Sequence, residues 1–325
     1  MARSSGASSA PEPRPPLTVA LVGPTASGKT AAGILLAEAL GTAGVINCDS
    51  RQVYRRLDVG TAKPTAAERA RVPHHLVDVA DPRERFTAAD YRAAAQAVVS
   101  ACAAAGRAAL FVGGTGLYLR AATQGLCAAP AAEPAVRRWL AALATTLPGG
   151  LHPLLARVDP AAATRIHAND RYRIVRALEV YFLTGDPLSE RQRRHREAGP
   201  GAAVRTFAIE LPAAELRRRI DARLDEMVAA GFVAEARSLL AEGLDPALPA
   251  LRAVGYPQMF AHLRGEASLA ETLAAIRRAT WQYARRQLTW FRALPGIVWV
   301  PGGEDRPPEA VAEAVLSLLR RGRAA

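Results

Sequence analysis

The chain has 325 residues, half of them hydrophobic and 22% charged, enough for two lobes built around more than one core. No run of roughly 18 uncharged apolar residues occurs, so no membrane span is expected, and three scattered cysteines (Cys48, Cys102, Cys127) argue for a reducing, cytoplasmic setting without structural zinc. Basic side chains number 42 against 30 acidic ones, a formal charge of +12 that favours a polyanionic partner.

The N-terminal stretch Met1–Pro16 is rich in Ser, Ala and Pro and lacks an apolar h-region, so it reads as a disordered leader and not a secretory signal. Leu17–Val22 is a short apolar run that predicts a buried strand, and Thr30–Leu40 has helical spacing that stops near Gly41. A second strand, Gly44–Cys48, ends at Asp49. Ala88–Ala105 predicts a long Ala-rich helix closed by Gly106, and Ala108–Val112 a third strand that runs into Gly113-Gly114-Thr115-Gly116 and another helix. Strand and helix alternate, which predicts a parallel sheet with helices on both faces. From Pro134 to about Gly199 the pattern is helical and Arg-rich with no clear strand. Val204–Leu211 returns to strand, followed by amphipathic helices over Leu216–Ala230, Val233–Glu242 and Leu269–Phe291, a last strand at Gly296–Val300 and a short C-terminal helix. The fold class is therefore α/β: a core from residues 17–129 and 204–325, with a mostly helical insertion at 130–203.

Gly23-Pro24-Thr25-Ala26-Ser27-Gly28-Lys29-Thr30 fits the phosphate-loop pattern between a predicted strand and a predicted helix, making the core phosphate-loop NTPase-like. A chance match in this composition is on the order of one in a thousand. Glycines let successive N–H groups and the helix N-terminus face a phosphate, Lys29 adds a point charge, and the Thr30 hydroxyl can hold Mg2+. The chain has only two lysines, Lys29 and Lys63, among 40 arginines, which marks both as positions needing a compact ammonium. Asp49 ends the second strand and should face the same crevice, as a magnesium ligand or a proton acceptor, or else cap the following turn. No acidic residue ends the third strand, which counts against motor and hydrolase chemistry but leaves a small-molecule kinase open. His74 and His75 are adjacent on an extended segment and point to opposite sides, so they read as structural or channel residues and not as a metal pair. Arg277–Arg292 carries five arginines and no acid, with Trp281, Tyr283, Trp290 and Phe291 interleaved, a pattern that suits phosphate contact and base stacking or, alternatively, an amphipathic helix with its aromatics in the core.

The succession GPTASGKT, DSRQVYRRLDVGTAKP (Asp49–Pro64), HHLVDVADP (His74–Pro82), GGTGLYL (Gly113–Leu119), NDRYRIVRALEV (Asn169–Val180), VGYPQM (Val254–Met259) and RRQLTWFR (Arg285–Arg292) resembles the tRNA dimethylallyltransferases, in family order and across nearly the whole chain. The resemblance implies transfer of a dimethylallyl group from dimethylallyl diphosphate to the adenosine 3′ of the anticodon, without ATP. It implies that residues Gly23 to Thr30 grip the diphosphate and that Asp49 accepts the proton from the adenine amine. Thr115, Arg137 and Arg223 would support the departing diphosphate. tRNA contacts are implied at Asp49, Ser50, Arg51 and Gln52, and at Arg173 and Arg176 in the insertion, which would clamp the anticodon stem. Further contacts are implied at Arg252, Gly255 and Tyr256, and at Arg285, Arg286, Gln287, Trp290 and Arg292. Pro257 departs from the family, where many relatives carry a basic or polar residue, and puts one tRNA contact in question but not the reaction. A monomer acting on the tRNA anticodon stem-loop is expected.

Overall fold

A computed structural model describes residues 17–199 and 204–321, so the expected leader at 1–16 lies outside the described residues. Among these, residues 17–123 with 204–321 form one compact unit, and residues 124–199 form a second.

The first pass of the larger unit runs β1 (Thr18–Val22), α1 (Lys29–Leu40), β2 (Val45–Cys48), α2 (Ala66–Arg71), β3 (His74–His75), α3 (Ala88–Ala104), β4 (Ala109–Gly113) and α4 (Gly116–Gln124). The smaller unit holds α5 (Pro134–Thr146), α6 (His152–Val158), α7 (Pro160–Arg165), α8 (Arg171–Thr184) and α9 (Leu188–Glu197). The chain then returns as β5 (Arg205–Glu210), α10 (Ala213–Ala229), α11 (Phe232–Ala241), α12 (Tyr256–Leu263), α13 (Leu269–Arg292), β6 (Val298–Pro301) and α14 (Pro308–Arg321).

The six strands form one sheet in the order β3-β2-β4-β1-β5-β6, every neighbouring pair parallel. The apolar runs are continuous because both faces are covered. Along β4, Leu110 and Val112 pack with Ile34 and Leu36 of α1 and Val315 of α14, while Ala109 and Phe111 pack on the other face with Tyr91, Phe232, Tyr256 and Phe291. Successive Cβ atoms point to opposite faces, so one strand feeds two cores. The parallel order places the C-terminal ends of β1, β2 and β4 side by side, and the loops after these strands make one end of the sheet.

Three elements carry no expectation from the sequence: the eight-residue α12, α2 and β3. α2 is a single capped turn and a half, in which Thr65 accepts from Glu68 N while the Glu68 carboxylate returns to Thr65 N, and six residues show no periodicity. β3 is two residues long, His75 opposite Ile46, and is recognisable only by its pairing. Lys63 lies under this stretch, 8% exposed, its Nζ donating to Asp58 Oδ1 at 2.7 Å, to Asp78 and to the Tyr54 carbonyl. Three acceptors converge on one small ammonium, which a planar guanidinium cannot satisfy in the same volume.

The smaller unit packs Leu140, Leu155, Ile174, Ala177 and Leu178 into its own core. Glu179 is fully buried there and accepts from Arg137 Nε at 2.7 Å and Nη2 at 2.9 Å, Arg176 Nη1 at 2.6 Å and Glu133 N at 2.8 Å. Burial alone would push this carboxyl up, but the two guanidinium groups hold it down at about 2.

Candidate active site

The loop between β1 and α1 starts the site. Gly28 occupies the left-handed region at φ 83°, which lets the backbone turn directly into the first helical residue, Lys29. Lys29 Nζ reaches back to the Pro24 carbonyl at 3.2 Å, so the ammonium sits over the loop. Burial, then the positive charge of Arg223, lowers the Lys29 pKa from 10.5 to about 8. Ser27 is 3% exposed, and its hydroxyl finds no partner among the described residues. A buried hydroxyl left in this way costs stability unless a ligand oxygen meets it. A buried cation, an orphaned donor and a helix N-terminus on one loop together specify an anion.

A small cavity of about 50 Å3 adjoins the loop and is lined by Thr25, Lys29, Thr30, Asp49, Gln52, His74, Arg223 and Tyr283, among others. Asp49 Oδ1 accepts from Arg51 N at 2.8 Å and Gln52 N at 3.4 Å, which is the turn-capping role foreseen for it. Its Oδ2 takes no hydrogen bond from the described residues, and Asp49 lines both cavities at this end of the sheet. Both of Asp49's roles are therefore compatible: one oxygen fixes the carboxylate and the other is available for chemistry. Thr115 stands beside it, its hydroxyl accepting from Ser50 N at 3.0 Å and its own N–H donating to the Cys48 carbonyl at 3.0 Å. Arg223 reaches in from α10. Burial lowers its pKa while the charge of Asp49 counteracts this.

A larger cavity of about 300 Å3 opens on the other side of Asp49. Its walls are of two kinds. Ile220, Leu224 and Met227 of α10 and Ile276 of α13 are apolar, whereas Asp49, Arg51, Arg223, Arg252, Tyr283 and Arg286 are polar. Tyr283 belongs to both cavities, and burial followed by the charge of Asp49 pushes its hydroxyl up to about 12, so it stays a neutral donor. The sequence marks Tyr283 only as one of the interleaved aromatics of Arg277–Arg292, and it does not mark the apolar wall. The only sequence signal for the wall is the spacing of residues 220, 224 and 227 on one face of α10.

The remaining expected RNA contacts divide. Arg252, Arg285, Arg286 and Arg292 are exposed, with Arg252 and Arg286 lining the larger cavity. Arg51 donates to the Pro249 carbonyl at 2.6 Å, and Gln52 donates to the Thr61 and Ala62 carbonyls at 3.1 and 3.0 Å, holding that loop against the site. Gly255 and Tyr256 require correction. Tyr256 is 0% exposed, with its hydroxyl donating to Glu235 Oε1 at 2.7 Å, and Gly255 is buried beside it, so neither presents a surface to RNA. Glu235 also accepts the N–H groups of Asp58, Val59 and Gly60 at 2.7–2.9 Å, so Tyr256 helps fix the loop that walls the cavity. Gln287 is likewise buried, with both ends of its amide used inside the protein. Trp290 is half-buried, with Arg120 over its ring at 5.0 Å. Arg137, Arg173 and Arg176 belong to the smaller unit. Arg137 and Arg176 are bound to Glu179, and Arg173 pairs with Asp170 at 2.9 Å on the surface. No group of three His, Cys, Asp or Glu side chains suited to a metal occurs among the described residues.

The family model described as IPP transferase matches residues 52–294. The chain is 50% identical to a tRNA dimethylallyltransferase of Syntrophobacter fumaroxidans over 86% of its length and 82% of that protein. It is 48% identical to one from Geobacter metallireducens over 88% of its length and 94% of that protein. Among solved structures, it resembles the tRNA isopentenylpyrophosphate transferase of Bacillus halodurans with a TM-score of 0.66 and 35% identity, covering 94% of this chain and 97% of that one. It also resembles a eukaryotic dimethylallyltransferase acting on tRNA with a TM-score of 0.74 and 25% identity, covering 89% and 74%. With a phosphate loop, a carboxylate and a two-faced cavity arranged on a parallel sheet, and with relatives of this identity along most of its length, the chain belongs to the IPP transferase family.

Proposed function

We propose that this chain transfers the dimethylallyl group of dimethylallyl diphosphate to the N6 amine of the adenosine 3′ of the anticodon in tRNA, releasing diphosphate. The observation that carries the reading is that Asp49 lies on both cavities, between a cationic cradle and a chamber with an apolar wall. The cradle suits the diphosphate, and the wall of Ile220, Leu224, Met227 and Ile276 suits a branched five-carbon chain. In the reaction the bond between the allylic carbon and the bridging oxygen breaks, and its electron pair leaves with the diphosphate. A bond from N6 to that carbon forms, and the N6 proton passes to Asp49 Oδ2. Charge grows on the bridging oxygen, so the fixed cations Lys29 and Arg223 favour the transition state over the ground state. Arg137 is carried as a diphosphate contact by the resemblance alone, and its guanidinium is already engaged by Glu179.

The donor set fits magnesium. Mg2+ keeps most of its waters and needs few protein ligands beside phosphate oxygens, and the Thr30 hydroxyl lies on the phosphate cavity next to Asp49. Bound there it would neutralise diphosphate charge. The target adenosine is stacked in the anticodon loop, so it must be flipped out to reach Asp49, and exposed Arg252, Arg285, Arg286 and Arg292 suit the flanking phosphates. The insertion suits the anticodon stem. We place this activity in a cytoplasmic monomer. No helix among the described residues is long and apolar enough to cross a membrane.

The test is mass spectrometry of nucleosides from unmodified tRNA incubated with the protein, Mg2+ and dimethylallyl diphosphate. One dimethylallyl mass added at that adenosine, with one diphosphate released per event, is expected. No mass gain, or ADP release in step with modification when ATP is present, would refute it.

A further inference from the structure

α13 carries the exposed arginines on one side and Gln287 on the other. Gln287 is 6% exposed. Its Oε1 accepts from Thr25 N, inside the phosphate loop, at 2.8 Å, and its Nε2 donates to the Gly114 carbonyl, one residue before Thr115, at 2.9 Å. One amide therefore joins three segments that are 89 or more residues apart along the chain: the loop after β1, the turn after β4 and the helix of Arg285 and Arg286. Both partners are backbone groups, so the bridge fixes main-chain position and does not depend on neighbouring side chains.

The glycines of the turn after β4 are shaped to this bridge. A Cβ on Gly114 would lie 2.2 Å from Gln287 Nε2 and 3.3 Å from the Gly23 carbonyl, and a Cβ on Gly116 would lie 2.0 Å from Trp290 Nε1. Gln287 and Trp290 are three residues apart on one face of α13. Two side chains of that face thus enter two gaps in Gly113-Gly114-Thr115-Gly116, gaps that only glycine leaves. The Gly-rich turn, which by itself suggests a second phosphate cradle, is a socket for a helix.

Resting on the activity proposed above, we infer that Gln287 is a positioning residue for the diphosphate: it sets the phosphate loop against Thr115 and locks both to the helix that faces RNA. The Gln287 side chain borders the small phosphate cavity, but both ends of its amide are spent on backbone groups, so it acts through the loops it joins. The amide suits the task because it offers one acceptor and one donor in a single plane, matching an N–H on one loop and a C=O on the other. A carboxylate offers acceptors only and would oppose the Gly114 carbonyl. A protonated carboxyl restores the donor.

That difference supplies a readout which general destabilisation does not move. Gln287→Met keeps length and removes both hydrogen bonds, and Gln287→Glu makes the bridge depend on protonation. Binding of inorganic diphosphate by calorimetry and of tRNA by filter binding are measured on the full chain from pH 5.5 to 8, each variant as a ratio to wild type so that the ligand's own titration cancels. For Gln287→Met, diphosphate affinity should fall about tenfold, the size of one to two net hydrogen bonds, with no pH trend and with tRNA affinity within about twofold of wild type. For Gln287→Glu, the deficit should shrink as pH falls. Gly114→Ala, which displaces the amide without touching it chemically, should reproduce the Met variant. A loss of tRNA affinity with diphosphate binding intact would overturn the inference in favour of an RNA contact, and a flat Gln287→Glu ratio would overturn the bridge. Equal loss of both ligands with a lowered melting temperature would reduce Gln287 to a packing residue. Failure of the wild-type chain to bind diphosphate at all would instead sink the activity on which the inference rests.

Discussion

Protonation of Lys29 should control how tightly the diphosphate is held. With its pKa lowered from 10.5 to about 8, the free protein carries this charge in about nine molecules of ten at pH 7 and about one in ten at pH 9. A diphosphate binds the charged form, so its apparent affinity should fall about tenfold over those two units and binding at pH 8 should take up about half a proton. Inorganic diphosphate itself loses its last proton within this range, so affinity and proton uptake are read as wild type relative to Lys29→Met, in which only the ligand titrates. Calorimetry with inorganic diphosphate, in buffers of different ionisation heat, counts the proton directly. Lys29→Met should bind more weakly, and the wild-type-to-variant ratio should carry the tenfold fall and the half-proton difference. Arg223→Gln removes the second-largest cause of the lowered pKa and should move the break to higher pH. The linkage has a definite sign for folding as well. Between about 8 and 10.5 the unfolded chain holds a proton on Lys29 that the folded chain has released, so the stability of the unliganded protein should rise with pH through this window. A wild-type-to-Lys29→Met affinity ratio that stays flat from pH 7 to 9 would refute the reasoning.

Asp49→Ala should lower turnover by about 10²–10⁴ with tRNA affinity little changed, and near-normal single-turnover rates would remove Asp49 as the base. Arg285→Ala with Arg286→Ala should weaken tRNA binding and flatten its salt dependence by up to about two phosphate contacts, which filter binding across a salt series reads directly. Tyr256→Phe should leave tRNA affinity unchanged but lower stability by about 1–3 kcal/mol, since it removes one donor to the buried end of Glu235. A melting curve and a binding isotherm decide between that and an RNA contact.

What the sequence determined by itself is what local physics encodes. Continuous apolar runs bounded by Gly and Pro marked β1, β2 and β4, because strands buried on both faces leave no polar alternation. The phosphate loop was legible because its chemistry lies in consecutive backbone groups, and the order of motifs carried the family. Asp49 was legible because a residue ending a parallel strand must face the ligand end of the sheet. Only the tertiary structure decided the rest, wherever the function of a side chain depends on a partner far along the chain. A buried Tyr256 or Gln287 reads the same in sequence as an exposed one, since Gln287 lies among arginines and Tyr256 in a short motif with no periodicity of its own. Burial is set by what packs above the residue, here Glu235 and Phe232 for Tyr256 and the loops at Thr25 and Gly114 for Gln287. The apolar wall facing Asp49 was hidden for the same reason, because Ile220, Leu224 and Met227 look like any core face until α10 and α13 are seen to part around a cavity. Periodicity tells which face of a helix is apolar. Whether that face meets protein or substrate is fixed by the packing of distant segments, which no local window contains.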